Sequence, residues 1–394
     1  MNKTDIFQSP YDLICAMEEA SLMKRFLPYS KGSPSRSVTY DDQYDRANII
    51  FFSDSHIDFR NQDESLDNVK RTIGFANSCP IPMDAIVNAG DAITPFQVNS
   101  KENALSRAEK FFGIAKESRV PFVFAKGNHD LNDWGNYPEN AFTDRDWSNI
   151  FYDFAEERYG IVRQIKKSGE KSTWHYYDIE DKKIRIISVD NQDTDKTIAD
   201  AEGKVKYYGG KYFYISNEQM NWIAHTALNF DDKEEKDWGV IVTFHQIPGD
   251  KEEYQNAVKE FIKLCGAFNR CETYSNNYVC HENSFFDMSV DVDFTRYASL
   301  EKKPHMICGL VGHMHEDKTE VHEGITFIWI VNGSSTDVAS DARIVRIPGT
   351  SVQNCFDILN IDTRKRKIRM FRYGAGVNCY GVGGDRFLPD GLDY

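Results

Sequence analysis

Five short apolar runs of this 394-residue chain finish in histidine, aspartate or asparagine. "FFSDSH" closes on Asp54 and His56, "VNAGD" on Asp91, and "FAKGNHD" on Asn128, His129 and Asp130. "IVTFH" closes on His245 and "LVGHMH" on His313 and His315. Any one such ending is common, and a lone histidine on an apolar run is usually a core residue. The conjunction reads as a ligand set. Imidazole and carboxylate suit borderline divalent metals such as Mn, Fe, Co, Ni or Zn, and the lack of thiolate argues against copper(I) or iron–sulfur. The set exceeds one tetrahedral site, whereas two ions about 3.5–4 Å apart that share one carboxylate would use it fully.

For these residues to meet, the runs must end side by side. "NIIFFSDSH" (48–56) and "DAIVNAGDAIT" (84–94) each precede a helical stretch, "ESLDNVKRTIGFANS" and "KENALSRAEKFFGIAKES"; "VPFVFAKGNHD" (120–130) follows directly. This alternation predicts βαβ units and a largely parallel sheet, an α/β fold. Ligands bind at the carboxyl ends of strands in such sheets. Residues two apart on an extended chain point the same way, so Asp54 with His56, and His313 with His315, are expected to converge. Gly90, Gly127 and Gly312 permit tight turns there.

Further on, "STWHYYDIEDKKIRIISVD" (172–190) reads as two strands around a charged turn. "SNEQMNWIAHTAL" (216–228) reads as a helix capped by Ser216. "WGVIVTFHQIP" (238–248) and "HMICGLVGHMH" (305–315) are again strands, and 250–304 between them reads as an insertion or cap. "FDILNIDTRKRKIRMFRYG" (356–374) reads as a C-terminal β-hairpin with its basic residues at a solvated tip. The expected organisation is a helical extension and linker over 1–44, a catalytic domain over 45–375, and a tail over 376–394.

Composition narrows the function classes. With 61 acidic and 47 basic residues the formal charge is −14, which argues against a nucleic-acid polymer as partner. The amino-terminal stretch has no apolar signal-peptide core, and no apolar run is long enough to span a bilayer. Eight scattered cysteines without a CxxC pair read as reduced thiols, so a cytoplasmic location is expected. Cys265, Cys271 and Cys280 with His281 match no common zinc spacing.

Taken in order, Asp54-x-His56, Gly90-Asp91, Gly127-Asn128-His129-Asp130, His245 and Gly312-His313-x-His315 resemble the five motifs of the calcineurin-like metallophosphoesterases. The resemblance implies a four-layer αββα sandwich and a dinuclear metal centre. It implies that Asp54, His56 and His315 hold one ion and that Asn128, His245 and His313 hold the other, with Asp91 bridging. His129 would face the substrate phosphate rather than a metal. The chain departs from the protein phosphatase branch, whose motifs read "GDxxDRG" and "RGNHE". Thr94 stands where the second acid would be, and Lys126 where the arginine would be. The C-terminal hairpin is similar to that of bacterial and phage members.

The expected function is therefore a phosphoesterase with two divalent ions, Mn, Fe or Zn, acting on a small phosphodiester or phosphomonoester. A metal-bridging hydroxide would attack phosphorus in line, with Asp91 and His129 as the catalytic residues. Asn128, His129, Asn132 and Trp134 are the candidate substrate contacts, with Tyr207, Tyr208 and the 250–304 segment as a wall or lid. Asp130 reads either as a partner of a histidine or as a helix N-terminal acid. Two alternatives remain: a metal-dependent nuclease, and a catalytically inactive scaffold.

Overall fold

The computed structural model describes residues 46–58, 62–94, 100–247, 256–280, 283–334, 346–375 and 392–394. The expected helix and linker over 1–44 and most of the tail over 376–394 lie outside them, as does His281.

Two mixed sheets carry the structure. The first contains β1 (Arg46–Phe52), β2 (Ala85–Asn88), β3 (Phe122–Phe124), β13 (Cys355–Asp362), β14 (Lys367–Gly374) and β15 (Leu392–Asp393), in the order β15-β14-β13-β1-β2-β3. The second contains β4 (Val162–Ile165), β5 (Lys171–Ile179), β6 (Ile184–Ser188), β7 (Gly239–Phe244), β10 (His305–Val311), β11 (Lys318–His322) and β12 (Ile325–Trp329). Its order is β11-β12-β10-β7-β6-β5-β4.

Alternate residues of one strand enter different cores. Ile49 and Phe51 of β1 pack with Ile241, Leu310 and Ile328 of the second sheet, between the two sheets. Ile50 and Phe52 point the other way, onto Val69 and Ile73 of α1 (Gln62–Ser78) and Phe111 and Phe112 of α2 (Lys101–Ala115). On the far side, Val240 and Val242 pack with Trp222 and with Phe261 and Leu264 of α3 (Asn256–Arg270). The layers are therefore αββα. Strands covered on both faces read as continuous apolar runs, which is why the sequence shows them without alternation.

The expected parallel pairing is present within each sheet: β1–β2–β3 and β6–β7–β10 pair in parallel. Antiparallel pairing comes from β4, β5 and β11, and from the C-terminal hairpin. That hairpin is not an appendage. β13 pairs antiparallel with β1 along its length, Arg46 opposite Asp362 through Phe51 opposite Asp357. Between β7 and β10, α3 is the crossover helix on the outer face of the second sheet, followed by the ribbon β8 (Thr273–Tyr278) and β9 (Met288–Asp293). Phe286, in the turn of that ribbon, packs on Tyr207 and Tyr214.

Candidate metal centre

The five run ends lie at the carboxyl ends of β1, β2, β3, β7 and β10. The side chains do not converge by strand alternation, however. β1 stops at Phe52 and β10 at Val311, before the candidate residues begin. Asp54 (φ 57°), His56 (45°), Asp91 (52°), His313 (72°) and His315 (51°) all adopt left-handed backbone. For residues with a Cβ, such conformations cost about 1–3 kcal/mol each and persist where the surroundings enforce them. Successive left-handed turns, rather than an extended chain, turn Asp54 and His56 into one pocket. The loops also pack too closely for side chains at two glycines. A Cβ on Gly127 would lie 2.1 Å from Asp91 Oδ1, and one on Gly312 would lie 2.2 Å from Ser53 Oγ.

Three groups of ligand-type atoms result: Asp54, His56 and His315; His56, Asp91 and His129; and Asp91, His245 and His313. His56 Nε2 lies 2.9 Å from His315 Nε2, which in turn is 3.3 Å from Asp54 Oδ1. Asp91 Oδ2 is 3.0 Å from His245 Nε2 and 3.7 Å from His56 Nε2, so it faces both ends of the cluster. Asp54, Asp91, His56, Asn128 and His245 are buried.

Neighbours fix these side chains. His245 Nδ1 lies 2.7 Å from the Ala89 carbonyl, so a neutral ring donates there and leaves a lone pair on Nε2. His56 Nδ1 meets Thr94 Oγ1. The threonine that stands in place of an expected acid thus orients the His56 ring. His313 N donates to Asp54, and His129 N donates to Asp91 Oδ1 at 2.8 Å. Asp130 fills neither expected role: it accepts the backbone amides of Asp91, Gly127 and Ile93 and ties the second motif to the third.

Electrostatics suit a cation. Burial favours the neutral carboxyl of Asp54, yet His315 and His245 hold it down at about 2. Asp91 likewise stays well below the usual carboxylate range despite burial, held by His245 and His129. Burial lowers His56 and His313 to about 4, so both rings are neutral near pH 7. Charged carboxylates and neutral imidazoles are the forms that bind metal. Against its burial, the charges of Asp91 and Asp54 raise His245 to about 9, so a proton and a metal cation compete at Nε2.

The residues fit a divalent ion on a separate observation. Asn128 Oδ1 is buried without a hydrogen-bond partner. A buried polar atom without a partner is costly, and a cation beside this acceptor would satisfy it. The thiols of Cys265, Cys271 and Cys280 belong to no ligand group among the described residues.

Around the cluster, His129 is partly exposed, its ring 5.0 Å from that of His56 and 5.5 Å from Trp134. Trp134 is exposed. Asn132 is buried, and its amide donates to the Asn140 carbonyl within its own loop. Lys126 is buried against Asp190 at 2.6 Å and Asp144 at 3.4 Å, so its charge is committed away from the cluster. No helix of the described residues is long and apolar enough to cross a membrane.

No curated protein matches the sequence. Among solved structures, the protein TT1561 of Thermus thermophilus is 14% identical, over 82% of this chain and 97% of its own, with a TM-score of 0.37. Phosphopantetheinyl hydrolase of Mycobacterium tuberculosis is 12% identical over 73% and 90%, with a TM-score of 0.34. A novel archaeal phosphodiesterase is 10% identical over 82% and 99%, with a TM-score of 0.31. Likeness this remote says nothing about substrate. The sequence profile of the calcineurin-like phosphoesterases spans residues 47–317, from β1 to just beyond His315, and the chain belongs to that family.

Proposed function

We propose that the chain is a dinuclear-metal phosphoesterase hydrolysing a small phosphodiester or phosphomonoester. The observation that carries this reading is the position of Asp91, whose Oδ2 faces His245 on one side and His56 on the other. In this assignment Asp54, His56 and His315 hold one ion, Asn128, His245 and His313 the other, and Asp91 both. The nitrogen and oxygen donor set suits Mn, Fe or Zn. When bound, such ions polarise phosphoryl oxygens and make water acidic enough to attack phosphorus near neutral pH.

The protein's own share is orientation and proton handling. Thr94 and Ala89 hold His56 and His245 with their distal nitrogens turned inward. Asp130 fixes the backbone on which Asp91 and Gly127 sit. His129, partly exposed at the edge of the cluster, donates a hydrogen bond or proton to the leaving oxygen. Lys126, paired with two carboxylates, does not grip the phosphate, which weighs against a phosphoprotein phosphatase. The test is a panel of phosphomonoesters, phosphodiesters and cyclic nucleotides assayed with Mn, Fe and Zn. Hydrolysis of at least one class with metal is expected. Failure to turn over any of them would overturn the reading.

A further inference from the structure

On the His129 side of the cluster, two loops are cross-linked into one rim. Lys204 Nζ donates to the Gly135 carbonyl at 2.6 Å, and Val205 N donates to Asn136 O at 2.9 Å. Gly209 N donates to Asp133 Oδ2 at 2.9 Å. That buried carboxylate also pairs with Lys196 at 2.8 Å, and Lys196 Nζ reaches Tyr207 O. Four polar contacts, one of them an ion pair on the buried Asp133 carboxylate, join the two loops and hold a few residues in register. The residue they hold up is Trp134.

Trp134 is 44% exposed. Its six-membered ring lies against Gly210, where a Cβ would sit 3.1 Å from the indole, so the glycine permits that close approach. The Tyr208 ring is nearly parallel to it, with ring centroids 6.3 Å apart and planes 17° apart. His129 is on its other flank, one ring nearer the ligands. An exposed indole alone needs no explanation. A pair of nearly parallel aromatic rings, firmly mounted and one ring's distance beyond His129, is a preorganised surface for a flat group.

We propose that Trp134 and Tyr208 form a stacking platform for a planar aromatic or heteroaromatic group esterified to the substrate phosphate. The proposal rests on the phosphoesterase reading and supplies its substrate class: an ester whose organic part carries a π-face close to phosphorus, either an aryl ring or a nucleobase. Aromatic stacking is tolerant of which ring it receives and intolerant of losing planarity. The flanking Tyr207 is turned away, edge-on against Tyr212 and Phe286, and takes no part.

The experiment compares benzyl with cyclohexylmethyl phosphate esters, as monoesters and methyl diesters, on the metal-loaded full chain. The two alcohols have similar leaving ability and size but only one is flat. For Trp134→Ala, KM for the benzyl ester is expected to rise roughly 5- to 150-fold with kcat little changed. KM for the cyclohexylmethyl ester should rise far less, Trp134→Phe should retain most of the preference, and Tyr208→Ala should lose part of it. A nucleoside 5′-ester set against the ribose 5′-ester separates the sources: a larger loss there than for benzyl identifies a nucleobase, an equal loss an aryl ring. Parallel changes for flat and non-flat esters, or none, would overturn the platform. Calorimetric binding of benzylphosphonate and cyclohexylmethylphosphonate keeps the two ideas separate. Discrimination between these without any turnover would sink the hydrolase reading and leave the platform standing. Turnover without discrimination would do the reverse.

Discussion

The Asp130 carboxylate accepts the backbone amide of Asp91 at 2.8 Å, and through the same oxygen the amide of Gly127 at 2.7 Å. Its other oxygen takes Ile93 N at 3.2 Å. One buried side chain therefore sets the backbone of Asp91, which lies between the two halves of the cluster.

Asp130→Asn is nearly isosteric, but its amide turns a donor toward a backbone donor. One buried N–H is then unpaired, at a cost of about 1–3 kcal/mol. Urea unfolding should show that loss, and elemental analysis should show reduced metal content although every ligand remains. Unchanged stability together with full metal content would mean that Asp130 positions nothing.

The two halves of the cluster should respond differently to ligand loss. Asp91→Ala is expected to weaken binding of both ions, whereas His56→Ala should mainly weaken one. Metal stoichiometry after dialysis reads this directly. Equal losses in the two variants would count against a shared Asp91.

His129 separates chemistry from metal binding. His129→Ala should keep its metal while turnover falls by ~10²–10⁴-fold. A smaller loss on nitrophenyl esters than on alkyl esters would identify proton donation to the leaving group. The ring also lies close enough to His56 and Asp91 to be a ligand. Loss of metal together with activity would assign it that role instead.

His175 gives the fold a pH limit away from the metal cluster. It is buried against Tyr152, with Nδ1 3.0 Å from Thr173 O, and burial lowers it from 6.5 to about 4. Between those values the unfolded chain binds a proton that the folded chain refuses. Its contribution to stability is thus complete above about pH 6.5 and lost as pH falls toward 4. His175→Asn keeps a donor for Thr173 but cannot titrate, so its stability should fall less over that interval. Identical pH slopes for parent and variant, measured by chemical unfolding, would refute this.

What the sequence disclosed was residue chemistry and where the runs stop. Histidine, aspartate and asparagine at five run ends are local facts, and the layers that cover both strand faces leave apolar runs that anyone can count. The conformations were not legible. Left-handed backbone at Asp54, His56, Asp91, His313 and His315 is imposed by contacts between loops, and the residue types there do not announce it. Thr94 reads in the sequence as a missing acid, and in the fold it holds His56. Lys126 reads as a substitute for a phosphate-binding arginine, and in the fold it is buried in an ion pair. Pairing of β13 with β1 joins segments about three hundred residues apart, beyond the reach of any local pattern.

The central claim is that hydrolysis depends on metal held by these residues. The most direct measurement is elemental analysis alongside phosphoesterase activity, on one preparation, before chelation, after chelation and after metal is returned. The account predicts up to two divalent ions per chain, loss of activity when they are removed, and recovery when Mn, Fe or Zn is restored. Activity that persists in a preparation verified to be free of metal would contradict it.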